Sequence, residues 1–244
     1  AITVPMLAFL NAGDHILVPD SIYSSARHFV THELPRFGVE VEFYDPTIAA
    51  GIEKHIKKNT KIVYCESPGS LTFEMQDIPA ISKAAKKHGC IVMLDSTWAT
   101  PLLQRPYDMG VDISIHSATK YIGGHSDLVM GVITCKKEFY AQLRRVHRNM
   151  GASTSSDNCY LALRGLRTMA LRLRQHQENA ILVGKWLQKV PEVSRVLWPA
   201  VPEDKGPDLW ERDMTGASGL FGVELKNPMT KAALAAMLDG LQHF

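Results

Sequence analysis

The sequence predicts an α/β fold: a mostly parallel, mixed sheet covered by helices, followed by the start of a smaller α+β C-terminal domain. Three observations predict it. From residue 15 to residue 96, short apolar runs alternate with helix-period segments. The runs are apolar on both faces, as strands buried between two helix layers are. Two later runs follow one another with no room for a helix between them, which places an antiparallel strand in the same sheet. The 244 residues, 45% of them apolar, suffice for one large domain and part of a second.

Each element follows in order. "HILVPD" is the first strand and 24–35 the helix after it; "VEVEFYD" is the second, followed by helix at 51–58. "KIVYCES" is the third, with a crossover helix at 78–88, and "CIVMLDS" the fourth. Right-handed crossovers make such neighbours parallel. "VDISIHSA" and "VMGVITC" are the two strands that lack a crossover. A helix at 137–149 comes next, then a long helical stretch at 156–190 ended by Pro191. "VSRVLWP" and "GLFGVELK" read as strands of the smaller domain, so residues 1–190 form the large domain and 191–244 begin the small one. Ala1 opens without methionine inside an apolar run, and "TKAALAAMLDGLQHF" stops within a helix-period segment; the sequence therefore reads as a fragment lacking both termini.

Composition narrows the function. The formal charge is +2, from 27 Lys+Arg against 25 Asp+Glu, and the basic residues are spread out except at 163–176, which argues against nucleic acid and membrane surface as partners. Cys65, Cys90, Cys135 and Cys159 lie far apart, with neither a C-x-x-C pair nor zinc-finger spacing, so no metal site is expected. Three of them sit in strand-like runs, where a free thiol acts as a small hydrophobe, and this fits a reducing cytoplasm. Neither a signal peptide nor a membrane-spanning stretch is present in these residues.

Ligands of open α/β sheets bind at the carboxyl ends of the strands. Asp95, Ser67, Ser117, Thr119, Lys120 and Tyr23 fall there. Lys120 lies in "SIHSATKYIGGHSD", behind Ser117 and Thr119. A surface lysine is the ordinary alternative. The pattern also suits an amine that forms a Schiff base beside two hydroxyls able to bind a phosphate. It is not a Walker loop, because Gly123 and Gly124 follow the lysine rather than precede it. Asp95 ends an apolar strand, where a carboxylate needs a partner. It either caps the following helix or pairs with a protonated pyridine nitrogen, keeping that ring an electron sink. Tyr23 is either a half-buried loop aromatic or a ring that stacks on a flat cofactor. His116 and His125 flank the lysine loop and receive no role.

These segments resemble a known family, the pyridoxal-phosphate enzymes of cysteine and methionine metabolism with the aspartate-aminotransferase-like fold (fold type I). "DISIHSATKYIGGHSDLVMG" resembles that family's cofactor-lysine signature. "GDHILVPDSIY", "ESPGS", "MLDSTWATP" and "RLRQHQENA" resemble its other segments and occur in its order. The resemblance implies pyridoxal 5'-phosphate as cofactor and Lys120 as Schiff-base lysine and proton shuttle. It further implies Asp95 as partner of the ring nitrogen, Tyr23 as the stacking ring, and Ser117 and Thr119 as phosphate ligands, with either Tyr23 or Lys120 supplying the proton to a departing sulfur. The family's glycine-containing phosphate loop, an N-terminal Tyr-x-Arg segment and the substrate-carboxylate arginine would lie outside the chain. A homotetramer of dimers that share active sites is implied as well.

Within the family, "ESPGSLTFEM" and "TGASGLFGVELK" resemble the bacterial cystathionine β-lyase branch. The γ-synthase and γ-lyase branch tends to carry Thr-Asn where this chain has Gly69 and Ser70. The resemblance implies β-elimination of L-cystathionine to homocysteine, pyruvate and ammonia, with Ser218 contacting the substrate end of the site. The rival readings are a γ-branch enzyme and a non-catalytic scaffold with the same fold.

Overall fold

A computed structural model describes residues 1–201 and 207–242. The chain opens with α1 (Thr3–Phe9) and β1 (His15–Pro19), then α2 (Ser24–His32), β2 (Glu40–Tyr44) and β3 (Thr60–Glu66). Next come α3 (Ile78–Lys87), β4 (Ile91–Asp95), the single turn α4 (Thr100–Leu103), β5 (Ile113–Ser117) and β6 (Gly131–Cys135). Three helices follow, α5 (Lys137–Asn149), α6 (Ser156–Leu166) and α7 (Met169–Leu187). The remainder is β7 (Val193–Leu197), α8 (Pro207–Asp213), β8 (Gly222–Leu225) and α9 (Lys231–Asp239).

The main sheet has strand order β2-β1-β3-β4-β5-β6. Every neighbouring pair is parallel except β5–β6, which is antiparallel, as the missing crossover requires. β7 and β8 form a separate antiparallel pair.

Alternation along the strands divides the core. Ile16, Val18, Ile62, Tyr64, Met93 and Ile115 face one side, packed with Ala26 and Val30 of α2 and Leu143 of α5. Leu17, Val63, Cys65, Val92 and Leu94 face the other side, against Ile78, Ile81 and Ala85 of α3. The same period of two puts Glu66, Asp95 and Ser117, the last residues of β3, β4 and β5, on the face of Tyr64, Met93 and Ile115. A third cluster joins Val193, Val196 and Trp198 to Phe73, Met75 and Trp98.

Seven of the eight strands lie within two residues of their expected limits, and β8 begins three residues after the start of "GLFGVELK"; several helices differ. Pro35 ends α2 early and opens a short 3-10 turn at Leu34–Phe37. The segment expected to be helical at 51–58 is a 3-10 turn at Ala49–His55. The single stretch expected at 156–190 is two helices. The Gly165 carbonyl accepts from the Thr168 N–H (3.1 Å) and the Arg172 guanidinium (2.7 Å), which diverts it from the regular i+4 bond and breaks the helix at 167–168. The C-terminal helix does not run to the chain end: it stops at Asp239 and is closed by Gly240, while residues 243–244 of the expected helix lie outside the described residues. α1, α4 and α8 were not foreseen. No described helix is long and apolar enough to cross a membrane.

Candidate active site

The carboxyl edge of the sheet gathers the candidate residues. Lys120 sits in the β5–β6 connection, on a turn in which its N–H donates to the Ser117 carbonyl (3.1 Å) and its own carbonyl accepts from Gly124 N–H (2.7 Å). Its Nζ lies 5.4 Å from the centroid of the Tyr23 ring, over the ring face. Tyr23 caps α2 just beyond β1 and is 40% exposed, enough to offer that face to a ligand.

Asp95 is not a helix cap. α4 begins five residues later and is capped by Ala99 without a side-chain bond, whereas Asp95 Oδ1 accepts from the Thr97 N–H at 2.9 Å. Thr97 Oγ1 in turn accepts from the Ser117 N–H at 2.8 Å, which links the ends of β4 and β5. Ser117 is half-buried, and its hydroxyl makes no hydrogen bond among the described residues. The Thr119 hydroxyl bridges to Met130, accepting its N–H at 3.0 Å and lying 3.3 Å from its carbonyl. That bridge closes the β5–β6 connection.

The loop is held from outside by groups absent from the sequence-based set. Arg172 of α7 donates to the carbonyls of Tyr121 (2.9 Å), Ile122 (3.4 Å) and Gly165 (2.7 Å). Gly165 of α6 approaches so closely that a Cβ there would lie 2.1 Å from the Gly123 carbonyl oxygen. At Gly124, where φ is +78°, the same test meets the Arg172 guanidinium at 1.9 Å. Both contacts span long sequence separations, which is why local pattern did not reveal them. Ser218 is fully buried beside Tyr121. Burial pushes the Tyr121 phenol up, and the Ser218 hydroxyl and the Leu220 and Gly219 N–H groups pull the other way.

The most telling residue missed from sequence is Glu66. It pairs in register with Asp95 across β3–β4, so two carboxyl groups share one face and one edge. Glu66 is 6% exposed; Oε2 accepts from the Tyr23 N–H at 2.8 Å and Oε1 accepts from the Ser70 hydroxyl. Burial foremost, then the Asp95 charge, pushes its carboxyl up to about 7. The histidines flanking the loop serve the fold. His116 Nε2 meets Ser114 Oγ at 3.1 Å, and burial lowers its pKa; His125 Nδ1 donates to the Gly123 carbonyl at 2.8 Å.

An amine, an aromatic face and a carboxylate on adjacent strand ends make the donor set for a planar, cationic-nitrogen aldehyde cofactor: amine for aldehyde, face for ring, carboxylate for ring nitrogen. Fold and site thus define the class, enzymes that hold such a cofactor across the carboxyl edge of an α/β sheet. The chain belongs to the Cys/Met metabolism PLP-dependent enzyme family, whose profile matches residues 1–244, and pyridoxal 5'-phosphate is that family's cofactor.

Individual relatives agree on family and differ on reaction. The cystathionine beta-lyase MetC of Escherichia coli K12 is 43% identical over 246 residues, covering 100% of this chain and 62% of that protein. An L-alanine/L-glutamate racemase of Wolbachia pipientis is also 43% identical, over 244 residues, covering 100% of this chain and 60% of that protein. The crystal structure of cystathionine gamma-lyase from Lactobacillus plantarum, complexed with L-serine, superposes with a TM-score of 0.91 at 30% identity, covering 94% of this chain and 60% of that one. The chain spans about three fifths of the length of these relatives.

Proposed function

We propose that the protein carrying this chain is a carbon-sulfur lyase that cleaves L-cystathionine by β-elimination into homocysteine, pyruvate and ammonia. The observation that carries the reading is the Lys120 amine over the Tyr23 ring, at an edge where Asp95 and Ser117 end neighbouring strands. Asp95 would face the ring nitrogen, Tyr23 the ring plane, Ser117 and Thr119 the phosphate, and Lys120 the aldehyde carbon. Bound pyridoxal 5'-phosphate supplies the electron sink for the charge left by α-proton loss.

Lys120 is the base that takes the α-proton, because its amine is the basic side chain that the loop holds over the Tyr23 ring. Breaking the bond from the β-carbon to sulfur then needs a proton for the departing sulfur, which the Tyr23 phenol or Lys120 delivers. Gly69 favours the β-branch: a Cβ there would lie 2.4 Å from Ser21 Oγ, so the segment is built around a missing side chain. Ser70, spent on Glu66, replaces the amide that the γ-branch tends to carry. Ser218 would act at the substrate end through its neighbour Tyr121. Exposed Tyr160, Leu163, Leu171, Leu182 and Trp186 on α6 and α7 give the apolar surface that a homotetramer would bury. Free cysteines throughout fit a reducing cytoplasm.

Separating the products formed by the complete protein from L-cystathionine, and from L-alanine in a parallel reaction, tests the reading. Pyruvate in large excess is expected. Predominant 2-oxobutyrate would move the protein to γ-elimination, interconversion of L- and D-alanine without keto acid would make it a racemase, and no turnover at all would leave a scaffold.

A further inference from the structure

Glu66 presents a problem that the proposed reaction does not use. Its carboxyl group is buried at the working edge, and among the described residues no cation lies within salt-bridge distance. An uncompensated buried charge is costly. Yet both oxygens have assigned partners: Oε2 meets the Tyr23 N–H and Oε1 meets the Ser70 hydroxyl. Those partners belong to two different segments, the turn after β1 and the 66–71 segment after β3. Each segment borders Lys120 or its ring neighbour.

We propose that Glu66 is a positioning residue of this site: its carboxyl group ties the Tyr23 main chain to Ser70, and so fixes the aromatic ring that lies under Lys120. The tether explains why an acidic side chain ends β3 at all, since an apolar residue there would leave a part-buried N–H of the Tyr23 turn without an acceptor. The two segments are also pressed together by Gly69 against Ser21, and the Ser70 N–H donates to the Ser21 carbonyl at 2.9 Å. Glu66 is thus the side-chain half of a junction whose main-chain half is Ser21–Ser70. Tyr23 stands two residues beyond it.

The protonation state follows from the neighbours. Asp95 faces Glu66 from β4, Lys120 from the loop after β5, the Tyr23 N–H from the turn after β1, and Ser70 from its own segment. Burial and Asp95 favour the neutral acid; Ser70, Tyr23 and Lys120 favour the anion. The neutral acid keeps its acceptor for the Tyr23 N–H and can donate to Ser70, so the tether survives protonation. Glutamine reproduces that state and methionine fills the space without accepting anything.

The catalytic consequence rests on the lyase reading above, whereas the tether does not. Amide hydrogen exchange of the complete, cofactor-free protein reads the tether with no substrate present. The Tyr23 amide should exchange about tenfold faster in Glu66→Met, the weight of one buried hydrogen bond, and at the wild-type rate in Glu66→Gln. Turnover should fall in Glu66→Met and be restored in Glu66→Gln, with the loss in kcat rather than KM. Unchanged Tyr23 exchange in Glu66→Met overturns the tether. Glutamine behaving like methionine in both readouts, with the thermal midpoint of wild type, overturns the neutral-acid state. If Glu66→Met does not fold, Ser70→Ala reads the same junction: it should spare Tyr23 exchange while slowing turnover, and full activity there would overturn the link to Ser70. An inactive wild type with a protected Tyr23 amide would refute the lyase reading alone.

Discussion

Replacing Gly165 with alanine should separate the lysine loop from the helix that holds it. The added Cβ would sit 2.1 Å from the Gly123 carbonyl oxygen and 2.4 Å from that of Ile122. Carbon and carbonyl oxygen settle at about 3.3 Å or more, so helix and loop must part by about 1 Å. The loop cannot yield inward, since a Cβ at Gly123 itself would lie 2.8 Å from Leu128 and 3.0 Å from the Ala118 carbonyl. Parting also weakens the Arg172 bridge between the Gly165 and Ile122 carbonyls. Overpacking of this kind costs roughly 1–3 kcal/mol of stability. A shift of about 1 Å at a reacting group can lower the rate roughly 100-fold. Pyruvate release from L-cystathionine, with a thermal melt in parallel, measures both. Gly184→Ala is the control, because its Cβ meets only Val196 at 4.0 Å in the same helical layer. It should be neutral or slightly stabilising. Gly165→Ala with the rate and midpoint of Gly184→Ala would refute the clamp.

Further outcomes follow from other parts of the site. Asp95→Asn keeps an acceptor for the Thr97 N–H, so it should cost about 1 kcal/mol or less in stability, yet lower kcat by roughly 100-fold or more with KM nearly unchanged. Equal losses in a melt and in turnover would mark it as structural. Lys120→Ala should abolish turnover, and borohydride reduction of the wild-type holoprotein should place the pyridoxyl mass on the peptide holding Lys120; an adduct on another lysine would move the site. Buried Asp112 accepts from the Val92 N–H at 2.9 Å and pairs with Lys86 and Lys136, whose side chains are 39% and 33% exposed. Solvent screens those pairs, so the loss in Asp112→Ala, roughly 2–4 kcal/mol by chemical denaturation, is mostly the unsatisfied strand N–H. For Glu66, the folded carboxyl titrates at about 7 and the unfolded one in the ordinary carboxylate range, so folded protein binds the extra proton between them. Its contribution is full below that window and is lost as pH rises through about 7. Glu66→Gln should therefore gain on wild type by on the order of 3 kcal/mol between pH 4.5 and 8; a pH-independent difference in melts would count against the raised value.

The strands were legible because each apolar run is bounded by charge or turn residues, and their ends located Asp95, Ser117 and Lys120 without coordinates. Glu66 was legible in principle. "KIVYCE" closes on a carboxylate just as "CIVMLD" does, and only the β3–β4 register shows that the two acids are neighbours. The helix break at 167–168 was not legible, since it depends on what the Gly165 carbonyl meets across the fold. The same holds for Arg172: in sequence it is one of several arginines in a basic run, and only the folded chain brings its guanidinium to the loop carbonyls.

The clamp also sets an order of events at the ribosome. Chains emerge N-terminal end first, so β5, the lysine turn and β6 can pair before α6 and α7 have been made. At that moment Lys120 is tethered by a hairpin alone. Gly165 follows the turn by more than forty residues and Arg172 by more than fifty, so the reactive amine gains its final seat only near the end of synthesis of the helical layer. A nascent chain arrested between β6 and α7 would present the lysine turn without the packing that fixes it in the folded chain. The late clamp therefore doubles as a delay, in which the lysine turn forms early and its final position is set only after α6 and α7 are made.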